Sequence, residues 1–309
     1  MMTAGKKEKI KIVVVGSVAL DSVKTKFGER REMLGGSVSY ACPAASFFAT
    51  TGMVGVVGDD FSTDHLRFYR RMGINLEGLQ KSRGKTFRWS GEYEKDLVNR
   101  RTLSTELNVF AAFKPELPES YRNAGYLLLG NISPSLQLHV LEQMRKPALV
   151  LADTMDLWIR TERRNLQKVL KNATMLALND SEARELTGKH DLRQSAAAIL
   201  KMGPKYVVIK KGEHGSMLFF KNRISIIPAY PVMKVVDPTG AGDSFAGGFI
   251  GRLAQAGRVN EGRIIEAMLT GSVVASFVVE SFGVDAMKKL TREKIASRLS
   301  EFEKIIRIF

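Results

Sequence analysis

The sequence predicts an α/β protein whose mostly parallel sheet carries helices on both faces, with a second, smaller sheet attached. Three observations carry this. From Tyr126 onward, short apolar runs alternate with helical stretches: strand Tyr126–Leu129 before helix Ser135–Met144, strand Ala148–Leu151 before helix Thr161–Leu170, strand Met175–Leu178 before helix Ser181–Leu186. Such repeated strand–helix units place crossover helices over a parallel sheet. The opening run Lys11–Val15 is β-branched and apolar up to Gly16, the composition of a strand buried on both faces. Between these regions, Lys85–Tyr93 breaks the rhythm. Thr86, Arg88, Ser90 and Glu92 alternate there with Phe87, Trp89, Gly91 and Tyr93, a period of two with one apolar face.

The remaining elements follow in chain order. Met1 to Lys11 is basic and precedes an apolar run, which in part resembles a secretory leader. The run stops at Gly16, Asp21 follows, and no small-residue cleavage site appears, so a buried first strand is expected. Gly35-Gly36-Ser37 opens a helical stretch through Thr50; Met53–Val57 is a short strand ended by Gly58-Asp59-Asp60; Phe61–Met72 is a helix stopped by Gly73. Arg101–Thr105 is the expected partner of the period-two strand, with Val23–Arg30 as a third member. The alternative is that Phe87, Trp89 and Tyr93 pack on the main core. Tyr206–Ile209 is a strand, Ser216–Phe220 and Arg223–Ile227 form a hairpin around Lys221-Asn222, Ile264–Val279 is a helix, Ser281–Asp285 a loop, and Arg292–Ile308 an amphipathic terminal helix.

Composition narrows the function classes. With 309 residues, 44% hydrophobic and 26% charged, the chain suits one large α/β domain. Cys42 is its single cysteine, so an internal disulfide is excluded and a reducing, cytoplasmic setting is expected. His65, His139, His190 and His214 lack metal-ligand spacing. The net charge of +15 is spread along the chain and mixed with acidic residues. That pattern favours polyanionic substrates over a nucleic-acid platform, and no stretch reaches transmembrane length. Gly84-Lys85-Thr86 lacks the earlier glycine of a P-loop, position 79 being leucine. Gly240-Ala241-Gly242 lacks the third glycine of a dinucleotide fingerprint, and neither HExxH nor GxSxG occurs.

The most informative stretch is Val236-Asp237-Pro238-Thr239-Gly240-Ala241-Gly242-Asp243-Ser244-Phe245. Phe245, Phe249 and Leu253 repeat at the spacing of one buried helix face, so the glycine turn sits at a helix N-terminus. Unpaired N–H groups and the positive end of the helix dipole favour an anion there. Asp243 would repel that anion unless it has a proton to remove, and a base beside a phosphate cradle suggests phosphoryl transfer to a hydroxyl. The plainer reading is a turn with Asp243 as a cap.

The run from Asp237 to Phe249 resembles the C-terminal signature of the ribokinase family, the PfkB sugar and nucleoside kinases. Gly16-Ser-Val-Ala-Leu-Asp21 resembles the family's opening segment, Gly35-Gly36 its N-terminal signature, and Asn179 with Glu182 its Asn-x-x-Glu motif. The resemblance spans nearly the whole chain and implies a three-layer α/β/α sandwich with a small β lid, formed by about 18–34 and 84–108. It implies an ATP-dependent kinase acting on a hydroxymethyl group of a sugar, with a nucleoside kinase or a non-catalytic regulator as alternatives. Asp243 would be the general base, and Gly240, Ala241 and Gly242 the anion hole. Asp21, Gly35, Gly36 and Asn131 would face the acceptor. Tyr40 stands where the family usually has asparagine, which suits a bulkier or flatter acceptor. Asn179, Glu182, Lys210 and Gly212 would serve ATP, with Glu182 reaching Mg2+ through water. Lys210 replaces a hydroxyl residue there and is either a phosphate contact or a solvated surface lysine, while Asn179 and Glu182 also fit a helix capping box. Asp237 either frames a site for an activating K+ or anchors the turn. A homodimer through the lid is the implied assembly, with no nucleic acid or membrane partner.

Overall fold

The computed structural model describes residues 9–306. The basic segment before Lys9 and the last residues of the terminal helix expected over 292–308 lie outside them. Nine strands form the main sheet: β1 (Ile12–Val15), β4 (Thr51–Val57), β5 (Asn75–Lys81), β8 (Tyr126–Leu129), β9 (Leu149–Asp153), β10 (Met175–Asn179), β11 (Tyr206–Lys210), β12 (Ser216–Phe220) and β13 (Arg223–Ile227). Their order is β13-β12-β11-β10-β9-β8-β1-β4-β5, parallel except for the two antiparallel pairings made by β12. Alternate residues of β1 show why the sheet has two covered faces. Ile12 and Val14 join a core with α1 (Ser37–Ser46), α8 (Ala241–Ala256), α9 (Glu261–Val278) and α10 (Arg292–Ile306). Val13 and Val15 join the opposite core with α3 (Pro134–Gln143), α5 (Arg163–Asn172), α6 (Asp180–Thr187) and α7 (Leu192–Lys201). The three layers expected from the sequence are present. Among the described residues no helix is long and apolar enough to cross a membrane.

A second sheet of four strands has the order β3-β2-β6-β7, from β2 (Ala19–Thr25), β3 (Gly28–Gly35), β6 (Phe87–Tyr93) and β7 (Arg100–Glu106). The sequence reading placed a single strand over 23–30. The chain instead turns at Lys26-Phe27, where Gly28 takes a φ of 131°, and makes two antiparallel strands. Asp21 lies within β2. The helix expected through Thr50 ends at Ser46. Strand β5 escaped the sequence reading because Asn75-Leu-Glu-Gly-Leu-Gln-Lys81 is polar and glycine-broken, as an edge strand tolerates. The strand order reverses about β1, whose neighbours are β8 and β4. In open α/β sheets ligands bind outside the carboxyl ends of strands at such a reversal. The smaller sheet leaves the main one just after β1, so it starts from that edge.

Candidate active site

Three neighbouring parallel strands, β9, β10 and β11, end at this edge in Asp153, Asn179 and Lys210. The register sets Asn179 opposite Lys210. The Lys210 ammonium lies 3.6 Å from an Asp153 carboxylate oxygen. It also lies against the glycine turn: a methyl group on Gly242 would sit 3.2 Å from Lys210 Nζ. Lys210 is not a solvated surface lysine. Burial alone would lower its pKa, but Asp153, Glu182 and Asp243 together raise it, so the ammonium stays charged.

Gly240 is the N-cap of α8, with φ 77° in the left-handed region that other residues avoid. A side chain there would also run into the ring of Tyr40, 2.4 Å away. The first regular bond of the helix runs from the Ser244 N–H to the Gly240 carbonyl at 2.8 Å. The Gly242 and Asp243 amides precede it without a carbonyl partner, which leaves donors open at the positive end of the dipole. Asp243 occupies the first turn with its carboxyl half-buried. Burial, and then Asp153, push its pKa up to about 7, against the pull of Lys210 and Arg100.

Asp237, six residues earlier, behaves differently. It is fully buried, and its two oxygens accept the N–H groups of Thr239 at 2.9 Å and Gly283 at 3.1 Å. This pairing ties the signature to the 281–285 loop, as the turn-anchor reading expects.

Asn179 and Glu182 form the expected capping box of α6. The Asn179 side chain accepts from the Glu182 N–H, and Glu182 accepts from the Asn179 N–H, both at 2.7 Å. Burial and then Asp153 raise Glu182 to about 7, with Lys210 opposing. Among the described residues no cluster of three or more acidic, His or Cys side chains could hold a metal directly. The pair Asp153 and Glu182 therefore fits a hard cation that keeps most of its waters, as Mg2+ does, rather than a protein-caged metal.

On the smaller sheet, Asp21 is 5% exposed and its carboxylate packs over Gly35, where a methyl group would overlap it. Gly36 adopts φ 84° and lies over the Ser17 carbonyl. Burial raises Asp21 to about 7, opposed by the Gly36 N–H and reinforced by Asp237 and Asp243. Tyr40 backs the glycine turn: it is buried, and its hydroxyl has no hydrogen-bond partner among the described residues. Burial and the carboxylates of Asp21, Asp237 and Asp243 drive its pKa well up. The Asn131 amide oxygen accepts from the Trp158 indole at 2.8 Å. Gly212 opens a short 3-10 turn after β11.

Sequence reasoning missed Asp153, Tyr93 and Arg100. Asp153 ends an apolar strand, so its place at a carboxyl edge was the available signal. Tyr93 and Arg100 face each other across β6 and β7. Thr239, next to the glycine turn, donates its hydroxyl to Tyr93 Oη at 3.2 Å and so joins the smaller sheet to the signature.

Residues 9–290 match the pfkB family of carbohydrate kinases. The chain belongs to this family. It is 29% identical over 259 residues to a cytidine kinase of Thermococcus kodakarensis, covering 81% of this chain and 91% of that one. Its fold is that of a nucleoside kinase of Methanocaldococcus jannaschii, an archaeal member of the ribokinase family (TM-score 0.74, 21% identity, 95% of this chain and 99% of the other). A ribokinase of Arabidopsis thaliana, solved with ribose and ATP, is as similar (TM-score 0.75, 21% identity, 94% and 99%). The pfkB signature, the layered sheet and the small second sheet thus occur together in one kinase chain.

Proposed function

We propose that the chain transfers the γ-phosphoryl group of ATP to a hydroxymethyl group of a sugar or nucleoside, with Asp243 as the general base. The observation that carries this is the meeting of the Asp243 carboxylate, the Lys210 ammonium and the open amides of the Gly240–Gly242 turn at one helix N-terminus. A base with a pKa near the working pH is matched to proton removal. Asp243 takes the hydroxyl proton while the acceptor oxygen forms its bond to the γ-phosphorus and the bond to ADP breaks. The Gly242 and Asp243 amides and Lys210 stabilise the negative charge that builds on the transferred group. Asp153 positions Lys210, and Asp153 with Glu182 would hold magnesium through its waters; when bound, that ion neutralises phosphate charge. Asp21 and the Gly35-Gly36 turn orient the acceptor. Asn131 and Tyr40 border it, Tyr40 from behind the turn. The smaller sheet acts as the lid, since a kinase site open to water hydrolyses its donor.

The nucleoside reading has its own support: the similarity to the cytidine kinase runs through most of both chains. Pairing of two chains through the lid is supported by Val98 and Leu103, exposed at its rim, and a sedimentation measurement on the whole chain tests it. The reaction is tested by coupled ADP release from Mg-ATP, with and without potassium, across pentoses, hexoses, keto-sugar acids and nucleosides. One strong acceptor is expected. Folded, ATP-binding protein that turns over none of them would favour the non-catalytic alternative.

A further inference from the structure

We propose that Trp89 and Arg100 form a lid subsite for the base of a nucleoside acceptor, and that this base carries a carbonyl oxygen. The inference rests on the kinase reading above and narrows its acceptor. Trp89 on β6 is the register partner of Asp21 on the adjacent parallel strand β2. Partners in register share a face, so the indole and the acceptor-side carboxylate lie on the same side of the lid.

The indole is held as a plate. It lies so close over Gly91 that a methyl group there would sit 2.2 Å from the ring. Any larger residue at 91 would lift it. Its N–H points to Thr102 Oγ1 at 3.3 Å. One edge packs against the cluster of Val23, Tyr93, Leu97 and Phe282 that seats the lid on the signature loops. Trp89 nonetheless remains half-buried, with the Arg100 guanidinium over its ring, 5.5 Å from the centre. Arg100 itself is exposed, with the Tyr93 hydroxyl within hydrogen-bond reach of its guanidinium.

A free sugar offers hydroxyls, which Asp21 and the glycine turn would meet, and can lay only a small C–H face on an indole. A nucleobase offers a full π face, and stacking on an aromatic plate is a common way to hold one. Arg100 can only donate hydrogen bonds. At the rim of a stacked base it would favour an exocyclic carbonyl oxygen, as in cytosine, uracil or hypoxanthine, over adenine, which offers only ring-nitrogen acceptors. A sugar acid would also suit Arg100, but it would leave the plate without a purpose.

The test measures kcat and KM with Mg-ATP for cytidine, uridine, adenosine, ribose and a keto-sugar acid, in wild type, Trp89→Ala, Trp89→Phe and Arg100→Ala. Loss of stacking should raise the nucleoside KM by roughly 5- to 150-fold in Trp89→Ala. Trp89→Phe should restore most of it, and the KM for ribose should not move. Arg100→Ala should erase the preference for cytidine and uridine over adenosine. Calorimetric binding of cytidine without turnover separates this inference from the kinase reading. Cytidine binding that is lost in Trp89→Ala supports the subsite even in a protein that fails to transfer phosphate. The inference is overturned by an unchanged nucleoside KM in Trp89→Ala, by equal rises for cytidine and ribose, by a sugar acid as the best acceptor, or by a wild type that binds no nucleoside.

Discussion

The carboxyl edge of the main sheet and the smaller sheet above it are built to opposite rules. At the edge, side chains are fixed from below: Asp153, Asn179 and Lys210 end three paired strands, and Asp243 starts a helix packed in the core. On the smaller sheet, β7 is exposed at every position, and its arginines hold to the neighbouring strand, Arg100 over Trp89 and Arg101 to Glu92. The first region raises two carboxyl groups, Glu182 and Asp243, to about 7, and Asp21 rises likewise at the buried root of the smaller sheet, on β2. Each gives folding stability that is complete in acid and lost as the pH rises through 7. The cost is tolerable where a rigid sheet holds the groups in place. The second region buries one small cluster and leaves β7 exposed, so on the proposal above its exposed side chains can set which acceptor fits. Chemistry is stored where burial tunes it, and selection where residues can change cheaply.

The largest effect that would break this division is expected at Asp243. Asp243→Asn keeps the size and the helix turn but removes the base, and kcat should fall about 10²–10⁴-fold with a melting temperature no lower than that of the wild type. Next is Lys210→Met, which takes one cation from the anion turn; kcat should fall on the order of 10²–10³-fold, read from initial rates at saturating ATP. If instead only the KM for ATP rises, Lys210 belongs to ground-state binding and the edge is less specialised than argued. The smallest effect concerns the wall behind the turn. The Tyr40 hydroxyl is buried without a partner among the described residues, so Tyr40→Phe should leave kcat nearly intact and raise stability by about 1 kcal/mol, measured by denaturant unfolding. A loss of both would mean that the hydroxyl serves the reacting groups.

The same contrast explains what could be read from the sequence. The layered fold was legible because strand Met175–Leu178 and its fellows declare themselves by local apolarity, and Phe245, Phe249 and Leu253 by spacing. The glycine turn, Asp243 and the Asn179–Glu182 box were legible because each is a local backbone device. Asp153 was not, since an aspartate after Leu149-Val-Leu-Ala reads as a plain strand end until β10 and β11 are placed beside it. Arg100 was not, because its meaning comes from β6 and β2 across the sheet. The strand read over 23–30 failed for a similar reason. Its residues alternate weakly, and only pairing of Ala19 with Gly35 and of Thr25 with Gly28 fixes the hairpin. Tyr40 was legible as a departure from the family pattern, but its position behind Gly240 follows from packing alone.

The central claim is that one carboxyl group, raised by burial beside an anion turn, removes the acceptor's proton. The pH dependence of kcat/KM for the best acceptor, from about pH 5.5 to 8.5, tests it most directly. The base works only when ionised, so the rate should be level above about pH 7 and fall close to tenfold per pH unit below it, with the limb abolished in Asp243→Asn. A flat profile across that range, or the same acid limb surviving in Asp243→Asn, would contradict the claim.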